Sequence, residues 1–148
     1  MQRALELART GQALGEVPIG AVLVINGDIA GEGFNRPIAD SDPTAHAEIQ
    51  AIRAAASRLG NYRLVNAILY TTLEPCVMCA GALVLARVAR LVFAARDLRF
   101  GAVRSKFSLA DSPLLNHRIQ VEEGLLAAEA AELLAQFFQS ARAASPEA

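Results

Sequence analysis

Residues 67–95 read AILYTTLEPCVMCAGALVLARVARLVFAA, and the order of their patterns decides the fold. Ala67 to Thr72 is a short, nearly continuous apolar run of strand length, as expected for a buried strand. Pro75 suits the first position of a helix, where its missing N–H is not needed, and the apolar sequence from there predicts a helix through about Arg87. Arg90 to Ala95 is a second apolar strand. A strand, a helix and a strand in this order predict a right-handed crossover joining two parallel strands.

The flanking sequence extends that unit on both sides. Gln2 to Leu14 places Ala4, Leu5, Leu7, Ala8 and Leu14 at helical spacing, and Gly15 closes the helix. Val17 to Ile25 is aliphatic and β-branched. Asn26-Gly27 follows, a pair that favours positive φ at both turn positions, so Asp28 to Phe34 returns as the other arm of a hairpin. Asp42-Pro43-Thr44 signals a helix start with Thr44 as its cap. That helix is expected from about Ala45 to Arg58, with Gly60 ending it. Residues 97–116 are irregular, with room for a short helix. Arg118 to Val121 reads as a fifth strand. Gly124 precedes a last helix to about Arg142, and residues 143–148 read as a loose tail. The expectation is one α/β domain over residues 1–148, with a mixed five-stranded sheet covered by helices on both faces.

Composition narrows the possible settings. Hydrophobic residues make up 53% of the 148 and charged residues 20%, a balance that supplies a core and excludes a disordered chain. The longest apolar run, Cys76 to Ala86, has eleven residues, whereas a membrane span needs about 20. Met1 to Arg9 has no secretory pattern. A soluble, cytoplasmic protein with no membrane partner is expected. The net charge of −1 conceals an uneven distribution: residues 1–86 carry −2, residues 87–118 carry +5 and residues 119–148 carry −4. A basic segment between acidic ones is a solvated face or a local phosphate-binding patch, and Arg96, Arg99, Arg104, Lys106 and Arg118 are its candidate contacts.

Four residues carry the chemistry. The only cysteines, Cys76 and Cys79, stand at i and i+3 on one helical face and in a first turn, where free N–H groups favour thiolate. His46 opens another helix, so two helix starts can converge on one cation. Zinc takes such a set tetrahedrally, and three protein ligands leave a fourth position at which water acquires a pKa of about 7. Glu48, two residues beyond His46, is turned away from the ligand face and suits a proton shuttle instead. Each piece alone has an ordinary explanation: a redox dithiol, a structural histidine, an acidic residue complementing a helix dipole. Jointly, His46-x-Glu48 followed by Pro75-Cys76-x-x-Cys79 is the signature of zinc deaminases.

The wider sequence resembles the bacterial tRNA-specific adenosine deaminases of the cytidine deaminase-like superfamily. The resemblance runs over about residues 3–142. It includes Glu16-Val17-Pro18-Ile19-Gly20-Ala21, Gly33-Phe34-Asn35-Arg36-Pro37, Asp42-Pro43-Thr44-Ala45-His46-Ala47-Glu48, Asn61-Tyr62-Arg63-Leu64, Leu73-Glu74-Pro75-Cys76-Val77-Met78-Cys79, Ala95-Arg96-Asp97 and Asn116-His117-Arg118. It implies a three-layer α/β/α cytidine deaminase-like fold, one zinc per chain on His46, Cys76 and Cys79, and Glu48 as the catalytic acid–base. It implies hydrolysis of adenosine to inosine at the wobble position of a tRNA anticodon, by a homodimer that binds the anticodon loop near its subunit boundary. It also implies that Asn35 bonds the flipped base, that Asp97 meets the sugar of a flanking nucleotide, and that Phe137, Phe138 and Arg142 lie near the loop. One stretch departs from the family: Leu98-Arg99-Phe100-Gly101-Ala102 stands where a Lys-Thr-Gly-Ala run is usual. Three other readings stay open on the residues alone: a deaminase of free guanine or cytosine compounds, a closed zinc site completed by His117, and a dithiol redox protein.

Overall fold

The computed structural model describes residues 1–145. Its elements follow the expected order: α1 (Gln2–Ala13), β1 (Gly20–Ile25), β2 (Asp28–Phe34), α2 (Ala47–Leu59), β3 (Ile68–Leu73), α3 (Val77–Leu85), β4 (Arg90–Ala95), β5 (Gln120–Glu123) and α4 (Ala127–Ala144). The sheet order is β2-β1-β3-β4-β5. β1 is antiparallel to β2 and β3, whereas β3, β4 and β5 are parallel. Asn26 and Gly27 have φ of 52° and 82°, the backbone that the hairpin demanded.

Alternation along the strands sorts the helices into two layers. Ala21, Leu23, Leu69, Leu91 and Phe93 point to one face, where they pack with the α2 alanines and with Leu83 of α3. Val22 points the other way onto Ala4 and Leu7 of α1, and Ala94 packs with Leu5, Ala8, Ala130 and Leu133 of α1 and α4. The result is the three-layer α/β/α arrangement.

Helix α2 sits unusually close to the sheet because both surfaces lack bulk. Ala47, Ala51 and Ala55 form one fully buried stripe at i, i+4 and i+8. Gly31 and Gly33 of β2 lie under it, where an added Cβ would come within 2.2 Å of the Ala51 carbonyl and 2.4 Å of the Ala47 carbonyl. This contact fixes the height of the α2 N-terminus above the sheet, and therefore of His46 and Glu48.

Several boundaries differ from the sequence reading. Thr44 does not cap α2. Its N–H and hydroxyl both donate to Asp42 Oδ1, at 2.8 and 2.7 Å, so the Asp-Pro-Thr turn satisfies itself and the helix starts later, with His46 as its extended N-cap. Pro75 lies ahead of α3, whose N-cap is Cys76. Residues 97–116 form turns and no helix. Helix α4 continues to Ala144, two residues into the expected tail, because Ala143 and Ala144 are good helix formers. Residues 146–148 of that tail lie outside the described residues.

Candidate active site

The site opens at the carboxyl ends of β3 and β4, where open α/β sheets commonly bind ligands. A pocket of about 680 Å3 there is lined by residues from five parts of the chain. Val17, Ile19 and Asn35 come from the start and end of the hairpin, and His46 and Glu48 from the start of α2. Leu73, Glu74 and Cys76 follow β3, residues 96–100 follow β4, and Leu134 and Phe138 come from α4.

At its base, His46, Cys76 and Cys79 present ligand atoms that all lie within 4.8 Å of one another. His46 Nδ1 is 3.6 Å from Cys76 Sγ and 3.5 Å from Cys79 Sγ. A tetrahedral zinc with Zn–S of about 2.3 Å and Zn–N of about 2.0–2.1 Å requires N···S separations of about 3.5–3.6 Å. The donor set therefore fits zinc in both chemistry and spacing. Cys76 is the N-cap of α3 and Cys79 its third residue, so both sulfurs share the helix start. Their hydrogen-bonding contact divides one proton between them. The bond from Cys79 holds the Cys76 thiol down to about 4, burial opposes this, and His46 reinforces it. The same contact, with burial, pushes Cys79 up. The bond with Cys76 also raises His46 above its ordinary value, against burial.

Glu48 stands apart from the ligand set, as the i, i+2 relation to His46 requires. Its side chain is buried, with Oε2 accepting from Cys79 Sγ at 3.5 Å and Oε1 facing Thr71 Oγ1 at 3.4 Å. Burial raises its pKa above the usual carboxylate value, and the positive field of His46 only partly offsets this. A carboxyl group so placed takes up a proton more readily than a solvated one and can pass it on.

Asn35 is buried, and its Oδ1 accepts the Ala47 N–H at 3.1 Å. That bond supplies an acceptor to the first turn of α2, which its N-cap His46 does not. It also turns the Asn35 NH2 donors away from the helix. Asp97 Oδ1 accepts from the N–H groups of Arg99 and Phe100 at 3.0 and 3.1 Å, so it organises the turn that carries them. Phe138 lines the pocket and is partly exposed, whereas Phe137 and Arg142 are absent from the lining. Arg142 is exposed one helical turn beyond Phe138.

The basic segment is not uniformly available. Arg90 pairs with Glu122 at 2.6 Å, Arg96 with Glu123 at 3.0 Å and Arg104 with Asp111 at 2.8 Å. The acidic C-terminal segment thus neutralises part of it across β4 and β5. Among the described residues, Arg99, Lys106 and Arg118 have no carboxylate within ion-pair distance. His117 Nε2 donates to the Val88 carbonyl at 2.7 Å and is not among the clustered ligands, which removes the closed four-ligand site.

Glu74 has a role that its position in the sequence did not signal. It is buried, and its carboxylate accepts the N–H groups of Asp97, Val103, Arg104 and Ser105 and the Ser105 hydroxyl. Burial works against its ionisation, but these bonds outweigh burial and hold its pKa below the usual range. An acidic residue at the end of an apolar strand was the one hint that the sequence offered.

A fold of this kind, with such a triad beside a buried glutamate, defines a zinc-binding deaminase. Residues 1–95 match the cytidine and deoxycytidylate deaminase zinc-binding region. A tRNA-specific adenosine deaminase of Haemophilus influenzae is 52% identical over 143 residues, covering 96% of this chain and 83% of the relative. A solved structure from work on A-to-I editing by tRNA:A34 deaminases at the wobble position superposes with a TM-score of 0.88. It is 46% identical, over 90% of this chain and 97% of that one. A guanine deaminase from Nitrosomonas europaea superposes at 0.80 with 30% identity, over 92% and 81%. The chain belongs to the tRNA-specific adenosine deaminase family of zinc-binding deaminases.

Proposed function

We propose that this protein hydrolyses adenosine to inosine at the wobble position of a tRNA anticodon, in the cytoplasm, as a homodimer with one zinc per chain. The observation that carries the reading is the buried Glu48 carboxyl set beside the His46, Cys76 and Cys79 triangle at the base of a nucleoside-sized pocket. The relatives' activity names the substrate.

His46, Cys76 and Cys79 would hold the zinc, which when bound supplies Lewis acidity that makes water nucleophilic at neutral pH. Glu48 takes a proton from the attacking water and donates it at adenine N1. Water oxygen bonds to C6 and the C6–amino bond breaks. Glu48 then takes the remaining proton from the oxygen bonded to C6 and passes it to the amino group, which leaves as ammonia. The Asn35 NH2 donors orient the base, because its Oδ1 is already committed to Ala47. Asp97 Oδ2 is left for a ribose hydroxyl, and Phe138 and Arg142 flank the RNA from α4. The target base must leave its stack, which costs least in a single-stranded loop. The exposed apolar side chains of α3, Val77 and Leu85, suit the second subunit.

The deciding experiment compares an anticodon stem-loop bearing adenosine at the wobble position with free adenosine, guanine and cytidine, using protein of measured zinc content. Inosine formed in the stem-loop alone is the expected result. Turnover of free guanine without the stem-loop would instead support the activity of the guanine deaminase relative, and full activity after complete chelation would remove the metal.

A further inference from the structure

The turn after β4 carries a feature that the triad and Glu48 leave unused. Phe100 lines the pocket yet is 65% exposed, and Leu98 beside it is 71% exposed. An aromatic ring left at the mouth of a polar-floored pocket forgoes its burial energy unless something covers it. The Arg99 guanidinium lies 5.6 Å from the ring centroid, placing a cation against the ring at the same rim. We propose that Phe100 is a stacking platform for the unpaired base next to the target base, with Arg99 placed for the adjoining phosphate; this rests on the RNA reading above.

The turn is built to hold that ring still. Asp97 Oδ1 receives the Arg99 and Phe100 N–H groups, and Asp97 O receives the Gly101 N–H at 2.9 Å. Glu74 fastens both ends, through Asp97 N–H on one side and residues 103–105 on the other. Gly101 packs against that carboxylate so closely that an added Cβ would lie 2.4 Å from it. A platform ordered before binding loses little entropy when a base stacks on it. Aromatic rings serve single-stranded nucleic acid in this way because every base has a π-face. The Arg99 cation is also available to a phosphate. Arg96 and Arg104 on either side are spent on Glu123 and Asp111, whereas Arg99 meets no carboxylate among the described residues.

The test uses full-length zinc-loaded protein carrying Glu48→Ala, so that RNA binds without turnover. The probe is an anticodon stem-loop with 2-aminopurine replacing each flanking nucleotide in turn. Stacking should quench the fluorescence at one flank. Phe100→Ala in the same background should abolish that quench and weaken binding by about tenfold. Phe100→Leu, which keeps bulk without a ring, should behave like Phe100→Ala, and Phe100→Trp should restore the quench. With Glu48 intact, the loss should fall on KM rather than kcat. Unchanged quench and affinity in Phe100→Ala would overturn the proposal. So would a weakened dimer by light scattering, since the ring would then be covered by a second copy of the chain. Wild-type protein that neither binds nor deaminates the stem-loop would remove the RNA reading itself, and this proposal with it.

Discussion

The helix starts that place His46, Glu48 and Cys76, and the turns that begin with the pocket-lining residues 96–100, both shape one pocket, but different forces hold them. The helix starts are fixed by close packing. The alanine stripe of α2 rests on Gly31 and Gly33, and α3 is buried through Cys79, Ala80, Leu83 and Val84. The turns have little apolar anchorage beyond Ala102 and Val103 and are held by hydrogen bonds to one buried carboxylate, Glu74. Packing gives the reacting groups a position that few local substitutions can shift. A hydrogen-bonded turn can carry outward side chains of many kinds, here Leu98, Arg99 and Phe100, on a frame that does not depend on them. The half whose donor set fits a metal is fixed by side-chain packing, and the half proposed to meet RNA is fixed by hydrogen bonds to its backbone.

The largest effect should come from the packed half. Glu48→Ala removes the proton carrier without removing a ligand, so zinc content and fold should persist while turnover falls about 10²–10⁴-fold. Metal analysis beside single-turnover deamination checks this, and near-full activity would show that the proton moves elsewhere.

Next is the anchor of the hydrogen-bonded half. Glu74→Ala leaves several backbone donors unpaired near the pocket and should cost about 3 kcal/mol in urea unfolding. Its zinc occupancy should stay closer to wild type than its affinity for the stem-loop does. Equal loss of both would mean that the two halves are not separately supported.

The same carboxylate gives a pH dependence of known sign. Its folded pKa lies below the ordinary 4.5, so the stability it contributes is complete above 4.5 and is lost as pH falls through the folded value. The stability gap between wild type and Glu74→Gln should therefore be constant near neutrality and shrink as pH falls below about 4.5 toward the lowered folded value. A gap that widened on acidification would contradict the assignment.

The smallest effects distinguish free from paired cations. Arg99→Ala or Lys106→Ala should reduce the salt slope of log affinity for the stem-loop by about 0.7 for each phosphate left unneutralised. Arg104→Ala should leave that slope unchanged and cost about 0.5–1 kcal/mol of stability, because its partly exposed pair with Asp111 is structural. A slope that responds to Arg104 and not to Arg99 would reverse the division.

The sequence by itself determined the elements and the chemistry. Periodicity placed every helix and strand to within a few residues, Asn26-Gly27 marked the hairpin, and His46-x-Glu48 with Pro75-Cys76-x-x-Cys79 singled out the candidate metal site that the fold brings together. Those signals are local, because burial patterns and turn backbone depend on neighbours a few residues apart. Helix starts were read less well: Thr44 gave its hydroxyl to Asp42, and Pro75 stood one position before the cap. Only the tertiary structure decided which distant partners meet. Asn35 became an acceptor for Ala47, Glu74 reached residues 103–105, and Arg90 of β4 and Arg96 just after it found Glu122 and Glu123 because β4 and β5 run parallel side by side. The reason is physical: a polar side chain can be satisfied by many partners, and the choice among them is made by how the strands align and which groups lose access to water when the layers close.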